Sequence, residues 1–324
     1  MISIIIPTYR GSDKILLPIY SAVRQSYEDI EIIVVDDNGL GTDEQVKTER
    51  ILRPLIKKKV IQYIAHKENK NGSAARNTGF FASKGEYINF LDDDDYMLPD
   101  KKKKKKDILD NTVDSVGAVA CGSYFVHEDG KGFSSVPDCE VDHFQREYLC
   151  ERAKFNTSAI LFRRQAIKDF GGFDESFRRH QDWELCFRIM SKYFFANCNK
   201  VLLVKYATER NIAANPETAV KYYDHFVESV SPYLLQLCES DQKEIKAYHF
   251  RRLYKSYLMS KRVKDAVRYA NSVNMSGFEQ MRAIIELISH VIKRFTRSNK
   301  RLAEPSEKYI GEAKKFWNIE IESD

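Results

Sequence analysis

The sequence lacks several features that would assign it at once. Its six cysteines, Cys121, Cys139, Cys150, Cys186, Cys198 and Cys238, include no CxxC pair. This argues against a zinc site and, in a chain of 324 residues, against a disulfide framework; reduced thiols in a cytoplasm are expected. Neither GxGxxG nor GxxxxGK[ST] occurs, so dinucleotide-binding and P-loop phosphate cradles both lose weight. No window approaches the ~20 apolar residues that span a bilayer. The apolar start, Met1 to Pro7, has no basic flank or cleavage site and reads as a buried strand rather than a secretory signal. One-sided charge is also missing: 52 basic against 47 acidic residues leave +5, too little to imply nucleic acid. What remains, 43% hydrophobic and 31% charged residues, is the composition of a soluble globular protein. Its length suits a catalytic domain of roughly 200 residues and a smaller appendage.

The first third alternates β-branched apolar runs with helical patterns: Ile2 to Pro7, Ile15 to Gln25, Ile30 to Val35, Glu44 to Ile56, Val60 to Ala65, Ser73 to Ser83 and Tyr87 to Leu91. That alternation predicts a mostly parallel sheet flanked by helices, an α/β fold. In open α/β sheets ligands bind outside the carboxyl ends of the strands, so Thr8 and Tyr9, Asp36 and Asp37, and the run Asp92, Asp93, Asp94 and Asp95 should converge on one crevice. A helix is expected from Leu98 to Asp110, with Pro99 in its first turn, a strand from Val116 to Val126, a short apolar run from Ser158 to Phe162, and a helix starting near Gln181. Beyond about Thr208 long helical stretches take over. A boundary near 210 therefore separates a catalytic domain, with a nucleotide-binding half of about 1–100 and an acceptor half of about 110–210, from a C-terminal helical region, 211–324.

Four adjacent carboxylates at the end of an apolar strand repel one another, and close to a low-dielectric sheet that repulsion calls for a cation. Mg²⁺ or Mn²⁺ fits, because such hard ions bind through one or two carboxylates while substrate phosphates complete the shell. With no glycine-rich loop, a metal held here would also countercharge a diphosphate. The competing reading is a helix N-terminus capped by Asp95 or Asp100, which accounts for one carboxylate and not for four.

In joint order and spacing, SIIIPTYR from Ser3, SAVRQSYEDIEIIVVDDN from Ser21, NGSAARNTGFFASKGEYINFLDDDDYMLPD from Asn71 and GGFDESFRRHQDWELCFRI from Gly171 resemble glycosyltransferase family 2 over roughly residues 1–205. The resemblance implies a GT-A (Rossmann-like) fold and inverting transfer of a hexosyl or N-acetylhexosaminyl unit from a nucleotide-sugar, UDP-linked by preference. The acceptor would be a hydroxyl of a glycan or lipid-linked saccharide in bacterial surface-polysaccharide synthesis, at the cytoplasmic face of the inner membrane. Carried over by position, Pro7, Thr8 and Tyr9 cradle the base and Asp37 hydrogen-bonds it. Asp92, Asp93 and Asp94 match the DxD element, with Asp94 and Asp92 on the metal and Asp93 nearer the ribose. Asp182 matches the general base. Arg76 and Asn77 fall near the nucleotide, though Arg76 suits a structural ion pair equally well. Tyr9 also reads as a core aromatic, and Asp182 and Glu184 as first-turn carboxylates facing a helix dipole. Gln181 stands where relatives often carry an acidic residue. Two rival functions are transfer to a polyprenyl phosphate and a catalytically idle, nucleotide-binding assembly partner.

Lys101 to Lys106 form a six-lysine run at a helix N-terminus, where positive charge opposes the dipole. A solvated face is one reading; attraction to an anionic membrane or a phosphate-bearing acceptor is the other. Phe278, Met281, Ile285, Ile288, Ile292 and Phe295 recur at helical spacing, with Lys293, Arg294, Arg297, Lys300 and Arg301 following. That stripe packs on the protein's own core or a partner helix, which includes a homo-oligomer, or lies in a membrane interface.

Overall fold

The computed structural model describes residues 1–127, 129–139, 143–153, 155–206, 215–296 and 303–317, the side chains of 290–296 excepted. The chain forms two compact units. One comprises Met1–Glu140, Lys154–Thr208 and Asn299–Asp324; the other comprises Val141–Ala153 and Glu209–Ser298. The division is thus not a single cut near 210, because a C-terminal segment returns to the first unit and a short central segment belongs to the second.

In the first unit, four parallel strands form in the order β3-β2-β1-β4: β1 (Ile2–Thr8), β2 (Ile30–Asp36), β3 (Gln62–Ala65) and β4 (Tyr87–Phe90). The Ile- and Val-rich runs of β1 and β2 are buried on both faces because helices cover the sheet, which is why they read as unbroken apolar stretches. The connecting helices are α1 (Leu16–Val23), α2 (Asp43–Lys57) and α3 (Gly72–Ala82). Thr42 caps α2, accepting from the Gln45 amide, and Asp43 and Glu44 occupy its first turn. Beyond β4 the sheet continues through β8 (Ile160–Arg163), β6 (Val116–Val126), β9 (Phe194–Tyr206) and β5 (Asp95–Met97), with β7 (Gly132–Ser135) paired to β6. Strand β8 runs antiparallel to β4 and to β6, β9 parallel to β6, and β5 antiparallel to β9. Helices α4 (Lys101–Asp110), α6 (Arg164–Lys168) and α7 (Gln181–Met190) complete this part.

The returning segment carries α12 (Ser306–Trp317). Tyr309 stacks on Tyr96 at 4.1 Å between centroids, and Phe316 and Trp317 each meet Tyr20 edge-on at 5.8 Å. These aromatics supply the apolar area that holds a 12-residue helix too short to be stable alone.

The second unit holds α5 (Phe144–Leu149), α8 (Pro216–Leu234), α9 (Glu239–Met259), α10 (Val263–Ser272) and α11 (Gly277–Thr296). Its core joins Leu253, Tyr254 and Tyr257 to Ala266, Tyr269, Ala270 and Ala283. Helix α11 turns its polar side toward α9, where buried Arg251 meets Glu279 at 2.5 Å and Glu286 at 3.2 Å. Its apolar stripe does not pack on that core: Phe278, Met281, Ile285 and Ile288 are exposed, as is Ile284. The side chains of Ile292, Lys293, Arg294 and Phe295, and residues Arg297, Lys300 and Arg301, lie outside the described residues. Among the described residues, no helix is long and apolar enough to cross a membrane.

The lysine run departs from both expectations. Lys101, Lys102 and Lys105 are fully buried in the first unit and donate to oxygens: Lys101 to the Ser158 carbonyl, Lys102 to Asn89 Oδ1 and Lys105 to the Ala159 carbonyl at 2.5 Å. Positions 101, 102 and 105 share the inner face of α4, while Lys103 is exposed.

Candidate active site

The carboxyl ends of β1, β2 and β4 meet. Thr8 Oγ1 donates to Asp93 Oδ2 at 2.7 Å, and the Asp37 amide donates to the Thr8 carbonyl at 2.9 Å. Gly11, just past β1, leaves no room for a side chain: a Cβ there would stand 2.0 Å from Asp93 Oδ2. Tyr9 is 44% exposed at this edge with the Arg10 guanidinium over its ring, so it is a surface aromatic and not a core one.

Asp37 is buried and its acceptor capacity is filled. Oδ1 faces His66 Nδ1 at 2.7 Å and accepts from the Lys70 amide; Oδ2 accepts from Asn69 Nδ2 and the Asn71 amide. The carboxylate therefore fixes the 66–71 loop, whose last residue, Asn71, caps α3 by accepting from the Ser73 and Ala74 amides.

The acidic run meets two cations that come from distant segments. Arg76 on α3 donates to Asp92 Oδ1 at 2.8 Å, and Lys205 on β9 reaches Asp92 Oδ2 at 3.1 Å and Asp95 Oδ2 at 3.0 Å. Burial alone would raise the Asp92 pKa, but Lys205 and Arg76 outweigh it and hold the carboxyl well below its usual range. Asp95 goes the other way. Burial, reinforced by Asp92 and Asp94 and only partly opposed by Lys205, pushes it up to about 7. Asp92 thus shares Lys205 with Asp95 and takes Arg76 besides. The donor set is all hard oxygen, and among the described residues no three of these carboxylates approach closely enough to cage an ion unaided. Both facts fit a divalent ion that takes one or two protein carboxylates and completes its shell from phosphates.

Helix α7 forms the opposite wall. Arg76 Nη1 donates to Gln181 Oε1 at 2.7 Å, so one guanidinium ties the acidic run to the first turn of α7. Asp182 follows directly. Its Oδ1 accepts from the Trp183 amide at 3.0 Å, and burial raises its pKa while Arg76 opposes the rise. Glu184, by contrast, is buried against Arg188, which also donates to the Phe170 and Gly172 carbonyls. Asn77, expected at the nucleotide, is spent elsewhere: it accepts from the Phe173 amide and donates to the Phe173 carbonyl and Glu175 Oε1. Gly172, at φ +86°, allows that turn to close; a Cβ there would stand 2.6 Å from Asn77 Oδ1.

The glycosyl transferase family 2 model matches residues 3–185, more than half of the chain. The chain belongs to glycosyl transferase family 2. Its relatives include amylovoran biosynthesis glycosyltransferase AmsB of Erwinia amylovora, 27% identical over 78% of this chain and 84% of that protein. An uncharacterized glycosyltransferase of Rickettsia felis is 31% identical over 59% of this chain and 31% of its own length, so the chain spans about a third of that relative. Among solved structures, Staphylococcus aureus TarS 1–349 in complex with UDP-GlcNAc aligns with TM-score 0.56 at 18% identity, covering 90% of this chain and 82% of that one. The mannosyltransferase PcManGT of Pyrobaculum calidifontis, in complex with GDP-Man and Mn²⁺, aligns with TM-score 0.55 at 17% identity, covering 98% and 88%. The fold is therefore of the GT-A type expected for family 2, with C-terminal helices added.

Sequence reasoning missed Lys205, His66 and Ser158. Lys205 sits near the end of β9, a 13-residue strand whose polar interruption at Asn197, Asn199 and Lys200 hides its continuity. Ser158 Oγ accepts from the Asp92 amide at 3.1 Å, and nothing in the short run from Ser158 to Phe162 marks it.

Proposed function

We propose that this chain is an inverting, metal-dependent glycosyltransferase. It moves a hexosyl or N-acetylhexosaminyl unit from a UDP-sugar to a hydroxyl of a glycan or lipid-linked saccharide during surface-polysaccharide synthesis. The observation that carries this reading is the single guanidinium, Arg76, spanning Asp92 of the acidic run and Gln181 beside Asp182. It sets a leaving-group end and a base end on two walls of one crevice.

The base of the donor lies against Pro7, Thr8 and exposed Tyr9. Asp37 and Asn77 serve the pocket by fixing the 66–71 loop and the 172–175 turn, and Asp93, held by Thr8, faces the ribose. Asp94 and Asp92 would hold Mn²⁺ or Mg²⁺, Asp92 having lone pairs beyond those that meet Arg76 and Lys205. When bound, that ion countercharges the departing diphosphate. Asp182 accepts the acceptor hydroxyl's proton as its oxygen bonds to the anomeric carbon. The bond from that carbon to the diphosphate oxygen breaks on the opposite face, so the configuration inverts and no covalent intermediate forms. A carboxylate whose pKa is raised by burial is the stronger base for this step.

AmsB is a biosynthetic glycosyltransferase for amylovoran, and the TarS and PcManGT complexes hold UDP-GlcNAc and GDP-Man with Mn²⁺ respectively, which supports the substrate class and the metal. Contact with a membrane interface, which the inner-face position requires, is supported by the exposed Phe278, Met281, Ile284, Ile285 and Ile288 on α11. The test is calorimetric titration of UDP-, GDP- and dTDP-sugars with Mn²⁺ and again with chelator. Metal-dependent binding of a UDP-sugar is the expected result; no binding of any donor in either condition overturns the reading.

A further inference from the structure

Away from the crevice, in the helical unit, three side chains of different chemistry come together. His143 Nδ1, Cys238 Sγ and Asp241 Oδ2 belong to two segments nearly a hundred residues apart, and the group's ligand atoms all lie within 4.8 Å of one another. His143 Nδ1 and Asp241 Oδ2 stand 2.7 Å apart. Cys238 precedes α9 and is the one exposed cysteine, while Asp241, in the first turn of α9, is buried. We propose that these three residues form a zinc site, with the fourth position open to water.

The ligand set is a thiolate, an imidazole and a carboxylate, which suits a borderline-soft ion such as Zn²⁺ and not Mg²⁺ or Ca²⁺. The surroundings orient it. Arg146 Nη1 takes Asp241 Oδ1 at 3.1 Å and leaves Oδ2 to face the imidazole, which gives a ligating carboxylate the outer partner it needs. Ser240 Oγ lies 3.1 Å from Cys238 Sγ, placed to donate to a thiolate. The charges balance as well. Among the described residues, Asp241, Glu147 and Glu244 meet the two guanidinium groups of Arg146 and Arg152, three negative charges against two positive. Ionising the thiol adds a second negative charge, and one divalent ion cancels both. On binding, a neutral imidazole carries its single ring proton on Nε2 and leaves Nδ1 to the ion, and the Cys238 thiol proton leaves to solvent. Tetrahedral bonds of about 2.0 Å to nitrogen and oxygen require those two atoms to open to about 3.3 Å, a small adjustment of two side chains. Cysteine spacing excludes a sequence-local finger, but it says nothing of ligands that meet only in space.

The test uses the full, tag-free chain, stripped with chelator and held in millimolar Mg²⁺ so that hard-oxygen sites are filled. One equivalent of Co²⁺ should give thiolate-to-cobalt charge transfer and visible bands of tetrahedral intensity, both bleached by Zn²⁺. Cys238→Ser should abolish the charge transfer, and His143→Ala should weaken Zn²⁺ binding about tenfold or more in competition with a chromophoric chelator. Asp94→Ala should leave all of this unchanged, which separates the site from the acidic run. Cys238 is exposed, so its serine variant should melt like the parent without metal and lose the rise in melting temperature that Zn²⁺ gives the parent. Absence of the charge-transfer band in the parent, or its survival in Cys238→Ser, overturns the proposal.

Discussion

Two runs of like charge, Asp92 to Asp95 and Lys101 to Lys106, stand almost side by side in the chain and are handled in opposite ways. The acidic run ends a strand at a ligand crevice, and the fold brings it cations: Arg76 from α3 and Lys205 from β9. The basic run starts a helix, and among the described residues its inner members form no ion pair. The amines of Lys101, Lys102 and Lys105 meet amide and carbonyl oxygens, and burial lowers the pKa of all three, that of Lys101 to about 7. A carboxylate cannot bind a cation after taking up a proton, and Asp92 is kept ionised by its imported partners, while burial pushes Asp95 beside it up to about 7. An amine that serves only to fill space can shed its proton, which is cheaper than burying an ion.

Variants at the two walls of the crevice test the first half of that contrast. Asp182→Asn removes the proposed proton acceptor without changing shape. Transfer in a product assay should fall about 10²- to 10⁴-fold while calorimetric donor affinity holds; unchanged turnover would refute the assignment. Lys205→Met should then act on stability. It leaves Asp95 buried beside Asp92 and Asp94 with its cation gone, and breaking such a pair from one side costs about 3–5 kcal/mol. Urea unfolding reads this directly. A loss under about 1 kcal/mol, the worth of a surface ion pair, would mean that the acidic run does not depend on imported charge.

How far the residues disclose this follows from the range over which each signal acts. The β-branched runs of β1, β2 and β4 and the periodicity of α2 and α3 are local, and each appears within a few residues of its expected bounds. The convergence of Thr8, Asp37 and Asp93 was legible too, because strand ends on one edge of a parallel sheet must meet. Compensation was not. Nothing near Asp92 announces Lys205, and nothing in six identical lysines says which three turn inward. That is set by where the helical period of α4 meets the sheet. Asn77 and Asp37 show the same limit: the motif gives their positions, but only the fold shows that their hydrogen bonds are taken by a turn and a loop. The return of α12 to the first unit escaped because Tyr309, Phe316 and Trp317 look like any amphipathic set until Tyr20 and Tyr96 are placed against them.

Smaller effects are expected in the basic run. Lys102→Met replaces a buried amine with an apolar chain of similar length, and Asn89 Oδ1 keeps Lys101 as a donor at 3.4 Å. The variant should gain about 1–4 kcal/mol, as buried polar groups often do when exchanged for packed apolar ones. The pH dependence has a fixed sign. The folded pKa of Lys101, about 7, lies below its ordinary 10.5, so between those values the unfolded chain binds the extra proton. Stability should therefore rise with pH across that window in the parent, and the slope should shrink in Lys101→Met, which carries no such proton. A parallel pH profile in the two proteins would place the amine charged in the folded state.

The smallest change belongs to the outer face of the same helix. Lys103 is exposed in the first turn of α4, where its charge opposes the helix dipole, with the Asp100 carboxylate as a charge neighbour. Lys103→Glu reverses an unfavourable interaction without touching the core. It should therefore stabilise by no more than about 0.5 kcal/mol, and the gain should fade in high salt. Melting curves at low and high ionic strength would show this. The comparison with Lys102→Met is what makes the measurement useful: neighbouring lysines in one unbroken run should differ several-fold in effect, one by a desolvation change that salt does not screen and the other by a surface charge that it does. Equal responses at 102 and 103 would mean that both side chains lie in water, and the buried placement of the run would have to be given up.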